Sequence, residues 1–261
     1  MAHLNRKIGI PSFDMTGKTA IITGGTQGLG FGMACALAAY GANVVITART
    51  ASKVEDAVAD LNENYCKGGR AFGIPADSSK LENVKMVIEK TVEEFGALDI
   101  LINNAGIAQQ KLFTDITNED WNAMVGVNLS GVFYCCRAAL PYMIRQKAGS
   151  IVNVSSMWGI CGASCEVHYS AVKAGVIGLT KALAKEVGPS GIRVNCIAPG
   201  AIATRMNDNL DEEAVALLRE ETPLGRMGTP EEIAKAIAFL ALEDSAFTTG
   251  QVLSPNGGLV I

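Results

Sequence analysis

Tyr169 and Lys173 stand four residues apart, a spacing that puts both side chains on one face of a helix. A phenol is a poor acid–base catalyst near neutrality because its unperturbed pKa is about 10, but an ammonium one turn away favours the phenolate and lowers that value. The spacing therefore predicts a tyrosine able to donate and accept a proton. Before them, Ser156 ends the run Ser150-Ile151-Val152-Asn153-Val154-Ser155-Ser156, which reads as a central strand. The carboxyl end of such a strand is where open α/β sheets bind ligands. A hydroxyl there can hydrogen-bond a substrate oxygen and polarise it.

A second chemical signal is the loop Thr23-Gly24-Gly25-Thr26-Gln27-Gly28-Leu29-Gly30, set between a β-branched run and a helical stretch that ends near Tyr40. Glycines in that setting let backbone N–H groups approach a pyrophosphate where the helix dipole is positive. The spacing Gly-x-x-x-Gly-x-Gly is not the Gly-x-Gly-x-x-Gly fingerprint, so the loop alone also fits a purely structural turn. Between Gly24 and Glu55 there is no Asp or Glu, although an acidic side chain at the end of the second strand is what binds the adenosine ribose of NAD. Arg49 stands there instead, and its guanidinium fork suits a 2′-phosphate. The expected cofactor is NADP(H), with Lys53 as a second phosphate contact.

Short β-branched runs at 19–23, 43–47, 70–75, 98–102, 150–155, 192–197 and 251–254 alternate with helical stretches. That is the pattern of one doubly wound α/β Rossmann domain, with seven parallel strands and helices on both faces. Residues 1–16 read as an N-terminal arm and 17–261 as the dinucleotide-binding and catalytic domain. A charged, partly apolar segment near 200–222 has the length of a lid over the site. Hydrophobic residues make up 49% of the chain and charged ones 18%, with 22 Lys+Arg against 26 Asp+Glu. This excludes a disordered chain and leaves no basic block for nucleic acid. No apolar run reaches the roughly 18 residues a membrane helix needs, and no leader is visible, so the expected location is the cytoplasm. Seven cysteines without a Cys-x-x-Cys pair, and two histidines, give no metal site.

With these motifs in order, the chain resembles the short-chain dehydrogenase/reductase family from about Gly17 to Gly258. The glycine motif matches Thr23, Gly24, Gly28 and Gly30, and the Asn-Asn-Ala-Gly motif matches Asn103 to Gly106. The catalytic set matches Asn128, Ser156, Tyr169 and Lys173, and a Pro-Gly segment matches Pro199-Gly200. The resemblance implies hydride transfer between NADP(H) and a ketone or secondary alcohol. Tyr169 then moves the proton, Ser156 orients the oxygen, Lys173 holds the nicotinamide ribose and Asn128 supports a water leading to Lys173. It implies cofactor contacts at Thr23, Gly24, Thr26, Gln27, Gly28, Leu29, Gly30, Arg49, Asp77, Ser78, Asn104, Ala105, Gly106, Tyr169, Lys173, Pro199, Gly200, Ile202 and Thr204. Asp77-Ser78 stands where an Asp-Val pair is usual, and Asn256-Gly257-Gly258 where Asp-Gly-Gly is usual.

Within the family the chain is most similar to 3-oxoacyl-acyl carrier protein reductase-like members. Sugar-acid and polyol dehydrogenases of the gluconate 5-dehydrogenase type, and hydroxysteroid dehydrogenases, share the same framework. Two minor alternatives are an aminoketone reductase acting on a translation factor and a non-catalytic NADPH sensor, although such sensors usually lack the tyrosine or the lysine. Ser156, Met157, Trp158 and Met206 are candidate pocket residues. Cys161 and Cys165 read as small packed thiols, Glu166 as a first-turn carboxylate behind a Ser164 cap, and His168 as pointing away from the phenol. The helix expected over 167–187 is more apolar than one face needs, which predicts burial against another chain, and the resemblance implies that it pairs with the helix near 120–146 in a homotetramer.

Overall fold

The computed structural model describes residues 13–204 and 212–261. Its strands are β1 (Thr19–Thr23), β2 (Asn43–Ala48), β3 (Ala71–Pro75), β4 (Ile100–Asn103), β5 (Gly149–Val154), β6 (Ile192–Ile197) and β7 (Val252–Leu253). They form one sheet in the order β3-β2-β1-β4-β5-β6-β7, and every pairing is parallel. The helices between them are α1 (Gly28–Ala39), α2 (Ala51–Asn64), α3 (Leu81–Phe95), α4 (Asn118–Val125), α5 (Gly131–Gln146), α6 (Trp158–Cys161), α7 (Val167–Val187), α8 (Glu212–Glu221) and α9 (Pro230–Ala241). The seven expected strands are all present and differ from the sequence reading only at their ends.

Alternation along each strand divides the core into two layers. In β1, Ala20 and Ile22 face a layer built with Met33 and Leu37 of α1 and with Ile233 and Ile237 of α9. Ile21 faces the other layer, with Val84 and Ile88 of α3, Cys135 and Met143 of α5, and Val176 and Val187 of α7. Both faces are thus covered, which is why the strands read as unbroken apolar runs. Strand order reverses between β1 and β4, opening the crevice in which such sheets bind ligands.

Three local expectations change. Met15 is fully buried in the core and Phe13 stacks on Tyr40, so residues 13–16 belong to the body; residues 1–12 lie outside those described. Residues 205–211 are also outside them, so the middle of the expected lid and the pocket candidate Met206 are not placed. Finally, α4, a five-residue π-helical turn at Gly126–Ser130 and α5 run on as one helix. Within its 29 residues, Asn118–Gln146, an 18-residue window has mean hydropathy 1.4, long and apolar enough by length and composition to cross a membrane. That corrects the expectation that no such run exists: Gly126, which reads as an interruption, keeps right-handed helical angles. The helix is used as a core helix, with Val132, Cys136, Ala139 and Met143 buried against the sheet.

Candidate active site

The glycine loop leaves β1 and turns into α1 through left-handed backbone at Gly24 (φ 67°) and Gly28 (φ 54°), conformations that glycine adopts without strain. A Cβ at Gly30 would overlap the Gly24 carbonyl oxygen and one at Gly25 would stand 2.7 Å from Ile46 Cγ2. The loop is tied down from β4: the Asn104 amide donates to the carbonyl oxygens of Thr23 (2.9 Å) and Gly24 (3.1 Å). Thr23 Oγ1 accepts from the backbone N–H groups of Asn104 and Ala105, both at 3.0 Å. The Asn104 side chain therefore braces the cradle. No acidic residue lies in the first turn of α1, and Thr204 Cβ would stand 3.8 Å from a Cβ placed on Gly28, closing the loop from the far side. These features fit a dinucleotide pyrophosphate.

At the outer end of the crevice, Arg49 follows β2 and is exposed. Burial works against ionisation of Asp77, yet the Ser79 hydroxyl and N–H at 2.7 and 2.9 Å, with Arg49 and Lys80 nearby, hold its carboxyl below the ordinary aspartate range. Ser78 lies beside it, and its carbonyl packs where a Cβ on Gly131 of α5 would go. On the inner side, Pro199 and Ile202 are buried. A Cβ on Gly200 would stand 2.7 Å from Asn256 Cα, so the segment after β6 is pinned to the C-terminal turn. Ile202 bridges to Gly228, anchoring the base of the expected lid.

The catalytic candidates converge. Asn128 sits in the π-helical turn and is fully buried. Its amide donates to the carbonyl oxygens of Ile107 (3.0 Å) and Met124 (3.2 Å), and its Oδ1 accepts from Ile107 N–H (3.3 Å). A Cβ on Gly106 would meet Asn128 Oδ1 at 2.7 Å and Lys173 Nζ at 3.6 Å, so glycine is what lets asparagine and lysine share one small space. Ser156, after β5, is near enough to the Tyr169 phenol to favour its ionised form, and Lys173 Nζ lies 5.5 Å from the Tyr169 ring centroid. The tyrosine packs in a small apolar group with Met124 and Val172, against which Trp158 and Ile107 rest.

The electrostatics correct one expectation. Burial pushes the Tyr169 phenol up to about 12, with Ser156 opposing and Glu166 reinforcing the rise. Lys173 is not among the groups that shift it; its Nζ donates to the Val154 carbonyl oxygen at 2.9 Å. The ammonium itself is brought down to about 8 by burial, with Cys196 opposing. Burial in a dry site thus keeps the phenol neutral and makes the ammonium easier to deprotonate than a free lysine.

Glu166 is the residue before α7, but its side chain makes no cap and accepts from Gln110 at 3.3 Å. Ser164 does not cap the helix either; its hydroxyl lies 3.8 Å from Cys165 Sγ, and Cys165 adopts left-handed backbone (φ 60°). Cys161 is exposed and Cys165 half-buried, so neither is a packed core thiol. The His168 ring is buried away from the phenol and pairs through Nε2 with Gln109 Oε1 at 3.0 Å. Met157 is buried, and its N–H donates to the Pro199 carbonyl, while Trp158 is half-buried with its N–H on Ser156 Oγ at 3.2 Å. The sequence reading missed Gln109, Gln110 and Ser155, whose only signal is nearness in sequence to a motif.

A family model described as Enoyl-(Acyl carrier protein) reductase matches residues 24–260. The chain is 42% identical over 245 residues to the 3-oxoacyl-[acyl-carrier-protein] reductase FabG of Chlamydia muridarum, covering 94% of this chain and 98% of that one. It is 42% identical over 247 residues to the FabG of Thermotoga maritima, covering 95% and 99%. Its fold matches a protein described as a short-chain alcohol dehydrogenase from Sinorhizobium meliloti with TM-score 0.91 and 35% identity, over 95% of this chain and 98% of the other.

Proposed function

The chain belongs to the short-chain dehydrogenase/reductase family, as an oxidoreductase acting on CH–OH groups, and from that premise we propose that it reduces a ketone to a secondary alcohol with NADPH, in the manner of a 3-oxoacyl reductase. The observation that carries this reading is the convergence of Ser156 and Tyr169 at the carboxyl end of β5, Ser156 near enough to favour the phenolate and Lys173 Nζ 5.5 Å from the Tyr169 ring centroid. Two donors meeting at one point are what a carbonyl oxygen needs as it gains negative charge.

The cradle of Gly24, Gly28 and Gly30, with Thr26, Gln27 and Leu29, would hold the pyrophosphate at the N-terminus of α1. Arg49 would take the 2′-phosphate, Asp77 and Ser78 would contact the adenine, and Thr204 and Ile202 would contact the nicotinamide. Bound there, the nicotinamide supplies the hydride. Ser156 orients the substrate oxygen. Tyr169 gives it the proton, and the raised phenol pKa keeps that proton in place across neutral pH. Lys173 binds the ribose and, as the phenolate forms, offers it a positive charge; Asn128 holds the polar route behind the ammonium. Met157 and Trp158 form the pocket wall.

The family model's description favours a second reading, reduction of an enoyl thioester, and both are tested together. NADPH and NADH oxidation is followed with 3-oxoacyl thioesters, enoyl thioesters, keto-sugar acids and ketosteroids. The expected result is turnover of the 3-oxoacyl thioester with NADPH preferred. Turnover of the enoyl thioester alone, or of no ketone, defeats the proposal.

A further inference from the structure

Three consecutive residues at the end of β5 grip one stretch of α7. The Val154 carbonyl oxygen accepts from Lys173 Nζ at 2.9 Å. The hydroxyl of Ser155 donates to the main-chain carbonyl of Lys173 at 2.8 Å. Ser156 then lies beside the Tyr169 phenol and favours its ionised form. Only the middle contact is without a part in the chemistry described above. It is also sealed: Ser155 is 3% exposed and Lys173 4%. A Cβ on Gly159 of α6 would stand 2.7 Å from both Ser155 Oγ and the Lys173 carbonyl carbon, so only glycine lets α6 lie over this bond. A hydrogen bond in so dry a place is strong and hard to replace with water.

We propose that Ser155 is a positioning residue for the reaction: its bond to the Lys173 carbonyl sets how α7 sits on the sheet, and so where the ammonium stands relative to the Ser156 and Tyr169 hydroxyls. A rotation of α7 too small to break its own backbone bonds is magnified at the tip of a four-carbon side chain, and displacements of about 1 Å at a reacting centre cost rate heavily. The groups facing the ammonium are Tyr169 on α7, Cys196 on β6 and, across Gly106, Asn128. The inference rests on the functional reading above.

A matched control lies on the same strand. Ser150 is buried and donates to the Leu240 carbonyl of α9 at 3.1 Å, far from these residues in the sheet. Ser155→Ala is expected to lower kcat for ketone reduction by at least about tenfold, while Ser150→Ala stays within about twofold. A second readout needs no turnover: 13C NMR of lysine-labelled protein, with the Lys173 signal assigned by its loss in Lys173→Met. Its midpoint, near 8 in the unaltered protein, should rise by at least about half a unit in Ser155→Ala as water reaches the ammonium, and stay put in Ser150→Ala. Gly159→Ala forces the same bond apart with both partners present and should reproduce both effects, which decides the matter if Ser155→Ala does not fold. The proposal is overturned if Ser155→Ala keeps the parent kcat and midpoint, or if the two serine variants change alike. Failure of the functional reading shows separately, as a parent enzyme inactive toward every ketone while the NMR titration still answers.

Discussion

Tyr169 keeps its proton firmly while Lys173 gives its own up easily, and the two side chains are one helical turn apart. With the phenol up to about 12 and the ammonium down to about 8, the free enzyme keeps its acid protonated throughout the neutral range and loses the lysine's charge above about 8. The value of kcat/KM for NADPH reports groups of the free enzyme, so it should be level below about pH 8 and fall above it, and that limb should be absent from Lys173→Met. A level profile to pH 10 would show that the ammonium is not required. Tyr169→Phe removes the donor and leaves the ring in its apolar setting, so turnover should drop by roughly 10² to 10⁴ while fluorescence titration shows NADPH still bound. At the other end of the crevice, the proposed preference for NADPH rests on exposed Arg49. Arg49→Asp with Ala48→Asp should move preference toward NADH by repelling the 2′-phosphate, and tighter binding of NADH by the unaltered protein would refute the assignment.

Among the elements, two deviate from regular geometry where the site needs it. The glycine loop turns through left-handed backbone at Gly24 and Gly28, and Gly30 lies against the Gly24 carbonyl with Asn104 bracing both. Gly30→Ala should therefore push the loop off its brace and raise the NADPH dissociation constant by at least about tenfold, with Tyr169 and Lys173 untouched; isothermal titration measures it. The π-helical turn at Gly126–Ser130 is the second deviation. It widens the helix where Asn128 must reach the Ile107 carbonyl, a use of such turns that recurs at functional sites. Nothing in the residues Gly-Val-Asn-Leu-Ser announces it, since the apolar pattern on either side is that of an ordinary helix.

For the whole molecule, the long helix and α7 leave apolar side chains outside: Trp121, Phe133, Ile144 and Val167 are each at least 40% exposed. The two glycines of α7 separate in role. Gly175 packs on the chain's own Leu129, with a would-be Cβ at 3.2 Å, whereas Gly178 meets nothing within 4 Å. A second exposed set, Leu224, Phe239, Phe247 and Leu253, lies toward α9 and β7. Two separate apolar surfaces suit an assembly with more than one two-fold axis, and we propose a homotetramer. Light scattering should give a mass near four times 27.3 kDa, and a species of 27.3 kDa would overturn it.

The sequence by itself determined the class of fold, because β-branched runs alternating with helical stretches can bury themselves only as a parallel sheet covered on both sides. It also pointed to the candidate catalytic residues, because Tyr169 and Lys173 share a helix face by spacing, Ser156 ends a strand, and the family resemblance adds Asn128. Tertiary structure decided what these groups feel. Whether an ammonium lowers a phenol's pKa depends on where its Nζ points and how much water remains, and the Val154 carbonyl that takes Lys173 comes from a strand outside the helix. The same holds for Glu166, which faces Gln110 in place of a capping role, and for Ser155, whose partner lies eighteen residues along the chain. Spacing along one element is written in the sequence, whereas contacts between elements exist only once the sheet has brought them together.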